Sequence, residues 1–328
     1  EGFVTETGND MRKGQNPVKQ LTEVAKPQRV TAAVLNHIPF LEGFYSQMLD
    51  VLKVSLNSLR ENAGMPLDVL VFDNGSCQEV IDYLVAEKQQ GRIQILILSD
   101  RNLGKGGAWN VMLQAAPGEI IAYADNDVIY SKDWLVKSIK VLEAFPRVGM
   151  VTSRPFHSKP ELYQSVVRWA ESTDGVILER GQLADPAWNR EFLLSVGRSE
   201  EEISQDLEQE DVKITYNGVS AYAGASHWQF LGWKTTLQEF LPIDLSKPLG
   251  QVLRLDEMVD ERGYLRLMTD QPYCMNLSNS VDVPASSTPA AASLHERTFL
   301  QRITDFPIIR SPLMRIYNAI FKLYYERK

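Results

Sequence analysis

The amino-acid sequence predicts an α/β fold in which a mostly parallel sheet is flanked by helices. Five short apolar runs have the length and composition of buried strands, and amphipathic helical patterns separate them. Strands that alternate with helices are joined by crossover connections, which make neighbouring strands parallel. The chain has 328 residues, of which 44% are hydrophobic, and this is enough to bury a large core.

The predicted strands occupy residues 30–35, 67–72, 93–98, 120–124 and 148–152. In the segment 41–60, apolar residues recur at spacings of three and four, which predicts a helix with one buried face. Similar patterns predict helices at 78–87, 107–115 and 134–144. The second half is less regular, and there we expect an acidic helix within 199–211 and another at the start of 253–268.

Composition divides the chain into five segments. Residues 1–28 are polar and are expected to form a flexible arm, and two halves of the folded unit follow at 29–152 and 153–280. A stretch rich in Pro, Ala and Ser at 281–295 is typical of a linker. The last segment, 296–328, is aromatic and basic and predicts an amphipathic helical extension. It would dock on the folded unit or on a second copy of the chain, or it would lie peripherally at a membrane surface.

Charge and cysteine content exclude several classes of protein. The 34 Lys and Arg residues against 42 Asp and Glu give a net charge of −8, which disfavours binding to nucleic acid. Two cysteines cannot form a disulfide framework or a cysteine-based zinc site, so a reducing compartment is expected. Together with the absence of a long apolar run, this predicts a cytoplasmic protein that is at most peripheral to a membrane.

Acidic residues follow two of the predicted strands. The second strand leads into Asp73-Asn74-Gly75-Ser76 and the fourth into Asp125-Asn126-Asp127. The carboxyl ends of parallel strands meet at one edge of a sheet, where such folds bind ligands. Two carboxylates that flank one residue can share Mg²⁺ or Mn²⁺. The first of these motifs has an alternative interpretation as a tight turn with helix-capping chemistry.

A glycine-rich segment follows the third strand. Gly104, Gly106 and Gly107 allow the backbone to approach a ligand closely, and Lys105 with the start of the next helix suits a diphosphate. The glycine spacing and its place after the third strand match neither the dinucleotide-binding fingerprint nor the P-loop.

The ordered set of these strand-end motifs resembles the nucleotide-sugar half of the family-2-like glycosyltransferases of the GT-A fold. The resemblance covers about 30–152 and continues more weakly to 279. The matching residues are Asn36, Asp73-Asn74-Gly75-Ser76, Asn102-Leu103-Gly104, Gly107-Ala108, Asn110 and Asp125-Asn126-Asp127.

The resemblance implies a GT-A-like (Rossmann-like) sheet with a nucleotide-sugar-binding half at 29–152 and an acceptor-binding half at 153–280. It implies transfer of a sugar from a nucleotide-sugar donor, with a UDP-sugar favoured, to a hydroxyl on a glycan, a lipid or a small molecule. Mn²⁺ or Mg²⁺ would assist by neutralising the diphosphate. The product would belong to polysaccharide or glycoconjugate biosynthesis.

The resemblance also assigns roles to the donor-site residues. Asp73 would contact the nucleobase or ribose, and Asp125 and Asp127 would hold the metal. The residues expected to bind the nucleotide sugar are Asn36, Asp73, Asn102, Lys105, Gly106, Asp125 and Asn126.

The second half supplies the expected acceptor side. The pair Asp256-Glu257 is similar to the acidic pair that deprotonates the acceptor, with Glu257 the first choice for the base and Asp256 its rival. The alternative is a solvated helix with surface charges. In the segment 223–230, Ser226 and Trp228 are expected at the acceptor site, although a tryptophan there is also typical of a core.

The sequence departs from the family at one metal ligand. Many relatives carry a late histidine, and the corresponding position here is Asn276. We therefore expect His227 to supply the third ligand. Two alternative hypotheses about the function stay open. The protein could be a retaining transferase, or a non-catalytic descendant that binds nucleotide sugars without turnover.

Overall fold

The computed structural model describes residues 22–246 and 251–281. Its strands, in chain order, are β1 (Val30–Asn36), β2 (Asp68–Asn74), β3 (Ile95–Ser99), β4 (Ile120–Asp125), β5 (Val128–Tyr130), β6 (Val148–Thr152), β7 (Ile177–Gly181), β8 (Asp211–Tyr216), β9 (Val219–Ala223), β10 (Gln229–Trp233), β11 (Leu265–Met268) and β12 (Cys274–Asn276). Its helices are α1 (Met48–Glu61), α2 (Gln78–Gln89), α3 (Gly104–Ala115), α4 (Trp134–Ala144), α5 (Gln164–Ser172), α6 (Pro186–Ser195), α7 (Glu200–Asp206), α8 (Lys234–Gln238) and α9 (Gln251–Glu261).

Within these residues, ten strands form one sheet in the order β3-β2-β1-β4-β10-β6-β11-β9-β8-β7, and β5 pairs with β12 in a second, two-stranded sheet. The strands β1 to β4 are parallel to one another. In the remainder of this sheet, β6, β8 and β11 run in the same direction as β1 to β4, and β7, β9 and β10 run in the opposite direction. The predicted α/β class with a mostly parallel sheet is therefore confirmed, and the antiparallel strands all belong to the less regular second half.

Helices cover both faces of the sheet because alternate residues of its central strands point to opposite sides. Along β1, Ala32 and Val34 join a core cluster with α1 and α4, whereas Ala33 and Leu35 join a second cluster on the other face. The second cluster contains Trp109 of α3 and residues of α9. Continuous apolar strands of this kind are typical of parallel sheets buried on both sides.

The predicted strands and helices of the first half are present with shifted ends. A 3-10 turn at Gly43–Tyr45 precedes α1, so the regular helix begins at Met48 and not near 41. The helix α3 begins at Gly104, three residues before the predicted start, with φ of +71° at that glycine. In the second half, the acidic helix ends at Asp206, and Asp211 begins β8.

The two predicted halves share one sheet. Strand β10 lies between β4 and β6, and β11 pairs with the other edge of β6. Of the predicted arm, residues 22–28 are exposed coil, and 1–21 lie outside the described residues. Beyond Val281, the predicted linker 281–295 and the segment 296–328 with its docking and membrane alternatives lie outside them too. No helix in the described part of the chain is long and apolar enough to cross a membrane.

Candidate active site

The sheet register brings the predicted strand-end residues together. Asn36 at the end of β1 lies opposite Asp73 of β2, and Leu35 lies opposite Asp125 at the end of β4. Because β1 is the central strand of these three, its end is flanked by both acidic motifs. This common edge of the sheet is the candidate active site.

Side-chain amides connect the three strand ends. The Asn36 Nδ2 donates to Asp73 Oδ2 at 2.7 Å, and Asn126 Nδ2 donates to Asn36 Oδ1 at 2.7 Å. The other Asp73 oxygen, Oδ1, accepts from the backbone N–H of Ser76 at 3.0 Å. Both Asn36 and Asp73 are 0% exposed. They lie beneath the site and fix the loop above them, and the contact of Asp73 with a nucleobase stays a prediction.

The glycine-rich loop is held against β2 by a second set of amides. Asn74 Oδ1 accepts from the Leu103 N–H at 2.8 Å, and Asn74 Nδ2 donates to Asn102 Oδ1 at 3.0 Å. Asn102 Oδ1 also accepts from the N–H of Gly104, the first residue of α3, at 2.7 Å. These bonds place the N-terminus of α3 beside the strand ends, where the positive end of the helix dipole favours an anion.

Sequence reasoning gave no role to His37, which belongs to this loop cluster. Its Nδ1 lies 3.0 Å from the Asn74 carbonyl oxygen and its Nε2 lies 3.1 Å from Asn102 Nδ2. Since the amide of Asn102 donates, Nε2 is the acceptor and Nδ1 carries the proton. The signal was its position directly after Asn36.

The first aspartate of the β4 end is already paired. Asp125 Oδ2 accepts from Lys105 Nζ at 2.7 Å, and Asp125 Oδ1 accepts from the Tyr123 hydroxyl at 2.6 Å. Burial and the charge of Asp125 raise the pKa of Tyr123, so the phenol stays protonated and donates. The predicted donor-site residues Lys105 and Asp125 are thus in direct contact, and the buried Gly106 follows in the same helical turn.

The second aspartate has an unsatisfied oxygen. Asp127 Oδ1 is buried and has no hydrogen-bond partner among the described residues. Burial, followed by the negative charge of Asp125, raises the pKa of Asp127 to about 7, although a bond from Asn276 opposes this shift. A divalent cation would satisfy that oxygen and favour its ionised form, so the oxygen chemistry of Asp125 and Asp127 fits Mn²⁺ or Mg²⁺.

The third predicted metal ligand does not join the other two. In the described residues, no group of three or more His, Cys, Asp or Glu side chains is arranged to hold a metal ion. His227 instead points its Nδ1 at Asp256 Oδ2, 3.0 Å away. The side chain that does bond Asp127 is Asn276, whose amide donates to the carboxyl and whose Oδ1 accepts from the Ser278 N–H at 2.7 Å.

Helix α9 turns the two predicted bases in different directions. Asp256 is 3% exposed and lies against the fully buried Arg266, with Oδ1 at 2.8 Å from Nη2. The Glu257 side chain is 40% exposed and pairs with Arg254 at 3.1 Å on the outer face. Adjacent helical residues point about 100° apart, so the two carboxylates cannot face one site together. Asp256 is therefore buried beside Arg266 and His227, whereas Glu257 faces outward.

The predicted acceptor residues are buried. Trp228 is 8% exposed, belongs to the main core cluster, and stacks on Phe192 of α6 with ring centroids 5.9 Å apart. Ser226 is 7% exposed, and its N–H donates to the Thr152 hydroxyl at 2.8 Å. Neither side chain presents a surface to an acceptor, so the structure gives both a packing role. The core alternative for Trp228 is the one that the structure supports.

Part of the chain matches the model of a known protein family. Residues 44–187 match the model of Glycosyl transferase family 2. This segment, less than half of the chain, is similar to the family 2 glycosyltransferases. The matched segment contains both acidic motifs and the glycine-rich loop, and it confirms the resemblance seen in the sequence. Asn36 precedes the matched segment, and His227 and Asp256 follow it.

Parts of the chain are also similar to individual proteins. An uncharacterized glycosyltransferase of Nostoc sp. is 26% identical over 97 residues, which are 30% of each chain. A mannosyltransferase from Pyrobaculum calidifontis, solved in complex with GDP-Man and Mn²⁺, is 18% identical with a TM-score of 0.46, over 79% of this chain and 59% of its own. TarS from S. aureus, residues 1–349, is 13% identical with a TM-score of 0.44, over 76% and 60%. The chain therefore spans less than two thirds of the length of each.

Proposed function

We propose that this chain is a metal-assisted glycosyltransferase that moves a sugar from a nucleoside-diphosphate sugar to a hydroxyl acceptor, with inversion at the anomeric carbon. The observation that carries the proposal is the end of β4, where the buried Oδ1 of Asp127 has no hydrogen-bond partner within residues 22–246 and 251–281 and Asp125 contacts Lys105 of the glycine-rich turn. A UDP-sugar is the favoured donor, and a glycan, a lipid or a small molecule is the acceptor.

The chain's own residues divide the work on the donor. Asp125 and Asp127 would hold Mn²⁺ or Mg²⁺, which would act as a Lewis acid on the diphosphate. The N–H groups at the start of α3 and the ammonium of Lys105 bind phosphate oxygens from the other side. The amides of Asn36, Asn102 and Asn126 hold this turn and the strand ends in register. A protein with a net charge of −8 needs such a local cationic site to bind an anionic donor.

Inversion requires a base on the acceptor side of the sugar. The loop before β10 carries His227 to the same sheet edge as Asp125, because the Asp125 N–H donates to the Trp228 carbonyl at 2.9 Å. Asp256 contacts that histidine from α9. The acceptor hydroxyl is therefore deprotonated on this side, opposite the departing diphosphate.

Thermal unfolding with and without Mn²⁺ tests the proposal with UDP-, GDP-, dTDP- and CMP-linked sugars. A ligand that binds only the native state raises the melting temperature, by on the order of 5 °C at a 100-fold excess over Kd. We expect one nucleotide to give a shift that requires Mn²⁺. Asp127→Asn should abolish most of the Mn²⁺-dependent rise in melting temperature. Asp50→Asn, on the exposed face of α1, should keep the full rise. An unchanged Mn²⁺-dependent shift in Asp127→Asn would contradict the metal assignment.

One observation favours a second function, which is nucleotide-sugar binding without turnover. Asn276, at the position where the family resemblance implies a late histidine ligand, donates its amide to the Asp127 carboxyl, and its Oδ1 accepts from the Ser278 N–H, so this residue offers a metal no imidazole and no open oxygen. Mn²⁺-dependent binding of a donor, with no release of nucleoside diphosphate under any condition, would support this alternative.

A further inference from the structure

We propose that His227 Nε2 is the atom that removes the proton from the acceptor hydroxyl, and that Asp256 is a positioning residue that acts through His227. The inference rests on the proposed glycosyl transfer and deepens it, because it assigns the base to an imidazole in place of a carboxylate. Its starting point is the contact between His227 Nδ1 and Asp256 Oδ2 at 3.0 Å.

Asp256 has no open edge for an acceptor. The residue is 3% exposed, and its Oδ1 faces Arg266 Nη2 at 2.8 Å. That contact is a charge pair and not an aligned hydrogen bond. The same guanidinium donates to the carbonyl oxygens of Leu162 and Ala225 at 2.6 Å, which fixes its position. With Oδ1 against Arg266 and Oδ2 on His227, the carboxylate is held in the interior.

The carboxylate determines which nitrogen of His227 is protonated. An ionised carboxylate only accepts hydrogen bonds, so Nδ1 carries the hydrogen that points at Asp256 Oδ2. The other nitrogen, Nε2, then carries the lone pair that can take a proton. The His227 side chain is 36% exposed, in contrast to the 5% of the Asp256 side chain. The imidazole is therefore the part of the pair that an acceptor can reach.

The histidine stands at the edge of the sheet where the donor is expected. Strand β10 runs antiparallel to β4 with Gln229 opposite Ala124, and the Trp228 carbonyl accepts from the Asp125 N–H. His227 is the next residue along the chain, so it leaves the sheet beside the Asp125–Asp127 turn. Arg266, buried in β11, holds Asp256 behind it.

The proposed step balances as a single displacement. The acceptor oxygen forms a bond to the anomeric carbon as the bond from that carbon to the phosphate oxygen breaks. The electron pair of the broken bond leaves with the nucleoside diphosphate. The hydroxyl proton moves to His227 Nε2, the resulting imidazolium is stabilised by Asp256, and the proton is then released to solvent.

The test compares His227→Gln, Asp256→Asn and the double variant in the full chain. The assay is release of nucleoside diphosphate from whichever sugar nucleotide stabilises the wild type, with Mn²⁺ and with water and glycerol as hydroxyl acceptors. We expect each single variant to lower kcat about 100-fold, as for loss of a general base, while the KM for the donor changes less than about threefold. The double variant should be no slower than the singles because the two residues act as a unit. Glu261→Gln, on the exposed face of α9, is the matched control and should keep full kcat.

Three results would overturn the assignment. A His227→Gln variant with wild-type kcat beside an impaired Asp256→Asn would make the carboxylate itself the base. A raised donor KM at unchanged kcat in His227→Gln would give the histidine a binding role. A wild type that binds a donor and releases no nucleoside diphosphate would leave no reaction for the base. If Asp256→Asn fails to fold because Arg266 loses its counter-charge, His227→Gln carries the test alone. The proposed function itself fails when no donor stabilises the wild type, or when the wild type binds a donor without releasing nucleoside diphosphate; the first two results overturn only the assignment of the base.

Discussion

Lys105 Nζ lies 2.7 Å from Asp125 Oδ2, so a lysine of the glycine-rich turn is the counter-ion of a carboxylate that we propose as a metal ligand. The ammonium also lies 5.6 Å from the ring centroids of Trp109 and Tyr123. A divalent cation on Asp125 would bring two positive charges to one carboxylate. The lysine and a bound metal would therefore compete for this oxygen, and under the proposed function Lys105 would turn toward the diphosphate when donor and metal are bound.

Lys105→Met separates the two roles of the lysine. Loss of the competing ammonium should strengthen Mn²⁺ binding in the absence of donor. Loss of a charge-assisted contact to phosphate should weaken donor binding about tenfold, which corresponds to about 1.4 kcal/mol. Isothermal titration of Mn²⁺ and of the donor measures both effects, with Lys53→Met on the outer face of α1 as the control. Weaker Mn²⁺ binding in Lys105→Met would show that the two cations do not compete.

Glu257→Gln distinguishes the two neighbouring acids in the middle of α9. Glu257 is paired with Arg254 on an exposed helix face, and exposed ion pairs contribute little to stability. We expect this variant to keep donor turnover within about threefold of the wild type. Steady-state release of nucleoside diphosphate is the measurement. A loss approaching 100-fold would return the base to Glu257, as the sequence alone predicted.

His157 predicts a pH dependence of stability. Its Nδ1 lies 2.8 Å from Asp206 Oδ2 and its Nε2 lies 3.3 Å from Asp211 Oδ1, which ties the loop after β6 to α7 and β8. Burial opposes protonation, but the two carboxylates outweigh it and raise the pKa of His157 to about 9. A raised histidine pKa contributes stability that is full below about pH 6.5 and is lost as the pH rises through about 9.

His157→Gln should therefore lower the free energy of unfolding most at low pH. The difference in the free energy of unfolding between wild type and variant should shrink by about 3 kcal/mol between pH 6 and pH 9.5. Urea unfolding at several pH values measures it. Asp206→Asn, which removes one of the two partners, should give an intermediate dependence. A difference that is constant over this range would contradict the ion-paired histidine.

Gly75 predicts a steric effect in the turn after β2. Its φ is +84°, and a Cβ there would lie 2.9 Å from the backbone carbon of Arg101. Gly75→Ala should lower the free energy of unfolding by about 2–3 kcal/mol, because it adds a clash to a left-handed conformation. Gly91→Ala is the control, since its φ is +73° but nothing lies within 4 Å of the added carbon. Gly91→Ala should lower the free energy of unfolding by about 1 kcal/mol. Equal losses in the two variants would show that the clash at Gly75 does not occur.

The first half of the fold could be predicted because its strands are continuous apolar runs and its helices carry a clear period. Strand β7 has mostly exposed side chains and offers no such pattern, so the antiparallel strands near the sheet edge were missed. Arg266 gave a signal that could have been used, since it is a charge inside the buried run of β11. A buried arginine needs a nearby carboxylate, and that requirement points to Asp256.

The sequence by itself determined the α/β class, the positions of the first strands along the chain and the motifs at their ends, because local periodicity and strand-end residues can be recognised without tertiary contacts. Only the tertiary structure decided which side chains face the site. Burial moved Trp228 into the core, and helix rotation turned Asp256 inward and Glu257 outward. The pairing of β10 with β4 brought His227 beside Asp125, about 100 residues away in sequence. Such contacts depend on the packing of distant segments, which sequence spacing does not record.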